Sequence, residues 1–203
     1  RDVDFMVIHK PAGLLTVPGK TEDLQDCLIN RLVELEPKTL LIHRLDRDTS
    51  GILVFALSRE GQKSISRQFQ ERQTDKTYQA IVAGTLDGEG TVDIPVIYDP
   101  SRPPLHVAEP NHNKPALTHW QAVEHFEIQG QPVTRVKLTP ITGRSHQLRV
   151  HMQYLGHPII GDTLYATVQQ QQLMPRLCLH AEQLSFIHPK NAEKVEFHCP
   201  APF

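Results

Sequence analysis

The chain has 203 residues, of which 39% are hydrophobic, and a formal net charge of -2 at pH 7. This length suits one fairly large domain or two small ones that share a core, and because no clear boundary divides the sequence, a single domain spanning residues 1–203 is predicted. The near-neutral charge means that any nucleic-acid-binding surface has to come from local clustering of basic residues. Three widely separated cysteines without a CxxC pair argue against a disulfide framework or a zinc ribbon and predict a reducing, cytoplasmic setting. No apolar run approaches the roughly twenty residues that cross a bilayer, so no membrane partner is expected.

The first part of the chain alternates strand and helix patterns. A strand is predicted in DFMVIHK, and PAGLLTVPG then bends the chain. Leucines at helical spacing predict a helix over 23–36, followed by a short buried strand in ILVFAL. A second helix is predicted from Arg59 to Arg72, with Ser58 as its N-cap.

The second part is dominated by strands. Apolar alternation predicts strands in TYQAIVA, TVDIPVI, ALTHWQAVEHF and VTRVKLT, and consecutive strands without intervening helices favour an antiparallel sheet. Five prolines predict a long irregular loop over 99–115. A helix is predicted from Ser145 to Leu155, ending at Gly156. The pattern indicates an α+β fold in which a mostly antiparallel, mixed sheet is flanked by helices and loops.

The stretch HRLDRDTSG, residues 43–51, places Asp46 among basic residues at the start of a buried strand. An Asp ahead of Thr and Ser can simply hydrogen-bond backbone N–H groups and shape a loop. A metal ligand is a weak alternative, because no partner ligand lies at a recognised spacing. A third interpretation is a nucleophile or base that a nearby arginine keeps ionised. The residues alone leave all three open.

Two other stretches carry polar or aromatic groups suited to RNA. In TGRSHQLRVH, residues 142–151, a helix beginning at Ser145 would put His146 and Arg149 on one face, and its N-terminus would suit an anion such as phosphate. The histidines of this stretch are five apart and make a poor zinc pair. Tyr78, in KTYQAIVAG, could pack against the sheet or stack on an unpaired base.

Taken together and in this order, KPAGLLTVPG, HRLDRDTSG, KTYQAIVAG and TGRSHQLRVH resemble the RluA-type pseudouridine synthases. Agreement in VPGKTEDLQD, QFQERQTDKTY and MPRLCLHAEQLSFIHP favours the branch that modifies both tRNA and large-subunit ribosomal RNA. The resemblance implies the pseudouridine synthase fold, with a central active-site cleft. Some relatives carry an S4-type RNA-binding domain before the first motif, and none is expected in this sequence. It also implies isomerisation of uridine to pseudouridine without a cofactor, a nucleotide or a metal.

The resemblance also assigns roles to residues. Asp46 matches the catalytic Asp, Arg149 the arginine that pairs with it, Tyr78 the tyrosine that stacks on the target base, and Leu148 a wall of the uracil pocket. Arg44 would fill the space that a flipped uridine leaves, since a planar guanidinium can stack and hydrogen-bond at once. The residues expected to meet RNA phosphates around the cleft are Arg47, Lys76, Arg144 and His146.

Other functions predict different observations. A non-catalytic RNA-binding module would bind RNA without Asp46 and form no product. A carboxylate hydrolase of the glycosidase type needs two acids, of which Asp48 would be the second, and would release free uracil. The same isomerisation restricted to one tRNA or rRNA site is a further alternative. The expected partners are tRNA, at its anticodon loop, and large-subunit rRNA, and the expected state of the enzyme is a monomer.

Overall fold

The computed structural model describes all residues, 1–203, and its contacts divide the chain into two compact units. The first unit comprises Arg1–Lys76 and His180–Pro202, and the second comprises Thr77–Leu179 with Phe203. Strands outnumber helices, and most strand pairs are antiparallel, which confirms the predicted α+β class.

The elements follow one another with short connections. The strands are β1 (Phe5–Lys10), β2 (Leu40–Leu41), β3 (Ser50–Ala56), β4 (Asp75–Ala83), β5 (Glu89–Asp93), β6 (Val96–Tyr98), β7 (His106–Ala108), β8 (Leu117–Ile128), β9 (Gln131–Pro140), β10 (Leu179–Ile187) and β11 (Lys194–His198). The α-helices are α1 (Leu28–Leu35), α2 (Arg59–Gln70), α3 (Gln147–Tyr154) and α4 (Val168–Gln172). None of these helices has the length and apolar character needed to cross a membrane.

Strand β3 is the centre of the first unit, because all seven of its residues are buried. It pairs antiparallel with β1 and β2 and parallel with β10, and β10 pairs antiparallel with β11. Helix α2 contributes Ile65 to the apolar cluster of this unit, whose other buried members are Phe5, Ile52, Val54, Leu184 and Phe186. The fully buried β3 explains why its sequence is a continuous apolar run rather than an alternating one.

The second unit is built on a four-stranded antiparallel sheet in the order β4–β9–β8–β5. In its register Tyr78 lies opposite Leu138, and Leu138 lies opposite Trp120. Trp120 is partly buried and packs against the apolar cluster of this unit. The tryptophan is therefore a packing residue, as its position in an alternating strand indicates.

The helices agree with the sequence patterns in place but not always in length. Helix α1 begins at Leu28, because residues 22–24 form a separate 3₁₀ turn that the leucine spacing does not reveal. Helix α2 begins at Arg59, and the Ser58 hydroxyl accepts the Gly61 N–H at 3.0 Å, which confirms the predicted cap. Helix α3 begins two residues later than predicted, because His146 adopts a left-handed conformation (φ 56°) and cannot continue a helix.

The segment 99–115 is more regular than predicted. Strand β7 lies inside it and pairs antiparallel with β6, with Tyr98 opposite His106. The turn between them is held by the Asp99 carboxylate, which accepts the Ser101 N–H at 2.9 Å and the Arg102 Nε–H at 2.8 Å. Three of the five prolines lie in the turn between β6 and β7 and the other two follow β7, while strand pairing satisfies the backbone polar groups of the hairpin.

Candidate active site

Asp46 lies on the irregular segment between β2 and β3 and is half-buried. The neighbouring Leu45 is buried, and both of its backbone polar groups are held by Thr16: the Thr16 hydroxyl donates to the Leu45 carbonyl at 2.8 Å and accepts the Leu45 N–H at 3.2 Å. The backbone before Asp46 is thus fixed by a buried side chain from the preceding KPAGLLTVPG segment.

The backbone after Asp46 is held by Lys10. This lysine is fully buried, and its ammonium group donates to the carbonyls of Pro11, Leu14 and Arg47, each at 2.8 Å. The Gly13 N–H also donates to the Arg47 carbonyl, at 2.9 Å. A buried charge is stable only when it is well hydrogen-bonded, and these carbonyls meet that need. Lys10 and Thr16 therefore fix the Asp46 loop from both sides.

The end of the motif is shaped by close contact between strands. Gly51 has φ 118°, and a Cβ at this position would lie 2.2 Å from the Ala181 carbonyl oxygen on β10. The adjacent Ser50 shares a hydrogen bond of 2.7 Å with Nδ1 of the buried His180. Only glycine has both the backbone freedom and the space for this approach. The TSG part of the motif is thus required for packing β10 against β3.

His43, at the start of the motif, is a structural residue. Its Nε2 accepts the Val54 N–H at 3.2 Å, and its ring stacks on Phe69 with 4.3 Å between centroids. Burial, with a smaller effect from the Lys76 charge, lowers the pKa of His43 to about 3, so the imidazole is neutral. The Lys76 ammonium lies 5.9 Å from the Phe69 ring, and its pKa is lowered by burial and by the charge of Arg72.

The two motif arginines are exposed and neither forms an ion pair with Asp46. Arg47 donates through Nε to the Gly13 carbonyl at 3.3 Å. Arg44 extends from the same loop as Asp46, one residue before the anchored Leu45. Both guanidinium groups are therefore accessible to a ligand that binds at the Asp46 loop.

In the second unit, the TGRSH segment is fastened by Gln147, the first residue of α3. Its side-chain carbonyl accepts the Thr142 hydroxyl at 2.7 Å and the Arg144 N–H at 3.0 Å, while its amide group donates to the Leu117 carbonyl and to Thr118 Oγ1, each at 3.0 Å. These four bonds fix the start of α3 and therefore the backbone of the next two residues, Leu148 and Arg149.

Arg149 is one of those residues, and it is 2% exposed. Its Nε and Nη2 donate to Asp162 at 2.8 and 2.6 Å, and its guanidinium lies 5.0 Å from the centroid of the Tyr165 ring. Asp162 also accepts the N–H groups of Leu164 and Tyr165. The orientation of Arg149 is therefore fixed by a salt bridge along one edge of the guanidinium and an aromatic ring over its face.

Leu148 points into the apolar cluster of the second unit, and Tyr78 packs against that same cluster. Tyr78 is half-buried on β4, whereas Leu148 is 7% exposed. Two of the residues that the resemblance assigns to the uracil site thus contact one apolar cluster. That environment suits a planar base, which stacks on aromatic and packs on aliphatic groups.

Arg144 and His146 have different surroundings. Arg144 is exposed and donates through Nε to the Pro115 carbonyl at 3.2 Å. His146 is half-buried, and its Nδ1 shares a 2.6 Å hydrogen bond with the Tyr165 hydroxyl. His146 therefore connects α3 to Tyr165, a role that its sequence position does not reveal.

One group of side chains has the composition of a metal site. One potential ligand atom from each of His9, His180 and Cys199 lies within 4.8 Å of the others. However, the His180 ring nitrogens are engaged by Ser50 Oγ at 2.7 Å and by the Cys199 carbonyl at 2.9 Å. Binding a metal would require His180 to give up one of these bonds, so we assign the group a structural role.

Residues 4–154 match the family of RNA pseudouridylate synthases. The match spans the Asp46 loop, Tyr78 and α3, and the chain belongs to this family of RNA-modifying isomerases.

The relatives support the same family at full length. The chain is 47% identical to the dual-specificity RNA pseudouridine synthase RluA of Pasteurella multocida and 44% identical to that of Escherichia coli (strain K12), covering 100% of this chain and 91% and 92% of theirs. Among solved structures, human RNA pseudouridylate synthase domain containing 1 matches with a TM-score of 0.84 and 34% identity over 100% of this chain and 82% of that one. Human RNA pseudouridylate synthase domain containing 4 matches with 0.77 and 26%, over 100% and 87%.

Proposed function

We propose that this protein isomerises specific uridines to pseudouridine in both tRNA, at the anticodon stem-loop, and large-subunit ribosomal RNA. The single observation that carries the proposal is the 47% and 44% identity, along the whole chain, to enzymes named as dual-specificity synthases. The expected catalytic residues Asp46, Tyr78 and Arg149 are all present: the backbone beside Asp46 is anchored, Tyr78 lies on β4, and the Arg149 side chain is held by Asp162.

The reaction is an isomerisation in which no atom is gained or lost overall. The bond between ribose C1′ and uracil N1 breaks, the base rotates, and a bond forms between C1′ and C5. The C5 proton leaves, and N1 ends with a proton. Asp46 acts on the reacting nucleotide, either as nucleophile at C1′ or at the uracil ring or by proton transfer.

Asp46 suits this role because its carboxylate is half-buried while the flanking backbone is anchored by Thr16 and Lys10. Positioning of this kind contributes strongly to rate, since a displacement of about 1 Å can cost roughly a hundredfold. Tyr78 stacks on the extruded base and assists the transfer of the C5 proton, Leu148 walls the uracil, and Arg149 provides the cation that pairs with the catalytic carboxylate.

The target uridine has to leave its stack, which costs a few kcal/mol. The exposed Arg44 fills the vacated space, and phosphates meet Arg47, Lys76, Arg144 and His146. Alanine substitution at a residue that contacts a phosphate is expected to lower the slope of log affinity against log salt by about one. An unchanged slope would remove that residue from the RNA contacts.

The decisive experiment measures tritium release from RNA labelled at uracil C5, with unmodified tRNA and large-subunit rRNA tested in parallel. We expect release from both, abolished in Asp46→Asn and retained in Asp48→Asn, a matched change in the same motif. Release from one RNA only would support a single-specificity enzyme. Binding without release would support a non-catalytic module, and free uracil a hydrolase.

A further inference from the structure

The hairpin β6–β7 ends in an aromatic residue that faces solvent. Tyr98 is 49% exposed, and only one other aromatic residue is found among the exposed large hydrophobic side chains, Tyr154. A single exposed ring is common on protein surfaces, but Tyr98 also packs edge-on against His106, so its position is set by the rings behind it.

Tyr98 is the outermost member of a continuous series of rings. Its ring lies 5.5 Å from His106, His106 lies 4.7 Å from His146, and His146 lies 5.6 Å from Tyr165. The Tyr165 ring in turn lies under the Arg149 guanidinium at 5.0 Å. We call these four rings the aromatic series; it leads from solvent to the arginine expected in the active site.

Hydrogen bonds and packing hold this series in place. The Tyr165 hydroxyl accepts the His106 backbone N–H at 2.9 Å and bonds His146 Nδ1 at 2.6 Å. Val96 on β6 is buried in one cluster with Val150 on α3 and Tyr165. The exposed ring is therefore presented on a rigid base, which reduces the entropy lost when a ligand stacks on it.

We infer that Tyr98 is a stacking platform for an unpaired base of the RNA substrate, adjacent in space to α3 and distinct from the base that undergoes isomerisation. The inference rests on the proposed function only in taking RNA as the substrate. Single-stranded bases are commonly held on aromatic rings, because every base has a π-face. Arg102, in the turn of the hairpin, is paired with Asp99 at 2.8 Å. Its charge is therefore partly neutralised, which favours stacking on Tyr98 over phosphate binding at this hairpin.

The test compares the affinity of tRNA and large-subunit rRNA transcripts for the full chain and its variants. We expect Tyr98→Ala to weaken binding of at least one transcript by roughly 5- to 100-fold, in line with other base–aromatic stacks. Tyr98→Phe and Tyr98→Trp should retain binding, whereas Tyr98→Leu should not. The salt slope should stay unchanged, because no phosphate contact is lost.

Tyr154→Ala is the matched control, since Tyr154 is an exposed tyrosine at the far end of α3. Equal affinities for Tyr98→Ala and Tyr154→Ala would overturn the inference, as would retained binding in Tyr98→Leu. A direct test uses transcripts carrying 5-iodouridine, which photocrosslinks to stacked aromatic side chains; the crosslinked peptide should contain Tyr98. Absence of tritium release by the unsubstituted chain would count against the proposed function alone, because affinity and crosslinking do not depend on turnover.

Discussion

The Arg149 guanidinium and the Asp162 carboxylate form a two-bond salt bridge in which the side chains are only 3% and 0% exposed. Removing one member of such a pair leaves the other charge buried without compensation, which is far costlier than losing an exposed pair. The bridge also fixes the orientation of the Arg149 guanidinium within the second unit.

Asp162→Asn should therefore destabilise the protein by about 3 kcal/mol or more and lower kcat for tritium release. Chemical denaturation and single-turnover kinetics would measure the two effects. Asp26→Asn is the control, because Asp26 binds Arg31 through the same two-bond geometry at 2.7 and 2.6 Å but on the surface. Similar unfolding free energies for both variants would contradict the importance of the buried bridge.

Lys10→Met should disturb the Asp46 loop without removing a contact to RNA, because Lys10 is fully buried. The substitution keeps the length of the side chain but leaves the carbonyls of Pro11, Leu14 and Arg47 without their charged donor. We expect a loss of about 3 kcal/mol in stability and a fall in kcat with little change in RNA affinity. Lys63→Met, an exposed change on α2, should alter neither. A loss of RNA affinity with unchanged kcat would refute this positioning role.

Gly51→Ala tests the close approach of β3 and β10. The new methyl group would meet the Ala181 backbone, so we expect a destabilisation of at least about 3 kcal/mol. Gly130→Ala also adds a Cβ at positive φ (73°), but nothing lies within 4 Å of it, and it should cost only about 1–2 kcal/mol. Both variants carry the backbone strain of a positive φ, but only Gly51→Ala adds a steric clash, so the difference between their melting temperatures measures the clash. Equal melting temperatures would argue against it.

His43 should make stability depend on pH. Its pKa is about 3 in the folded protein and near the ordinary 6.5 once unfolded. Between these values the unfolded state binds about one proton more, so stability is complete above pH 6.5 and is lost as the pH falls. The neutral variant His43→Gln should show a flatter pH dependence of unfolding free energy between pH 4.5 and 6.5. Parallel curves for the two proteins would contradict a neutral imidazole at position 43.

The cysteines should differ in reactivity. Cys27 and Cys178 are fully buried, and burial raises the pKa of the Cys178 thiol to about 11, whereas Cys199 is only partly buried. Because the thiolate is the reactive form, alkylation of the native protein should modify Cys199 first. Mass spectrometry of partly alkylated protein would show this, with the denatured chain, in which all three react, as reference. Equally fast modification of Cys178 would disprove its burial.

The amino-acid sequence by itself determined much of this protein. The α+β class, the strand in ILVFAL and the cap at Ser58 follow from local periodicity and capping chemistry, and the motifs around Asp46, Tyr78 and Arg149 were recognised by their resemblance to a known family. Such features can be read from sequence because they depend on residues within a few positions of one another.

The tertiary structure decided the partners of those motifs. Lys10 meets Arg47 across 37 positions, Ser50 meets His180 across 130, and Arg149 meets Asp162 only because the chain returns after α3. Local patterns say little about such contacts; the one signal for the buried cation was the position of Lys10 at the end of the mostly apolar strand β1. The sequence analysis missed the left-handed conformation of His146 and the β6–β7 hairpin for the same reason. Both are stabilised by contacts with Tyr165 and the apolar cluster around it, which lie far away in the sequence, and local propensity does not favour either conformation.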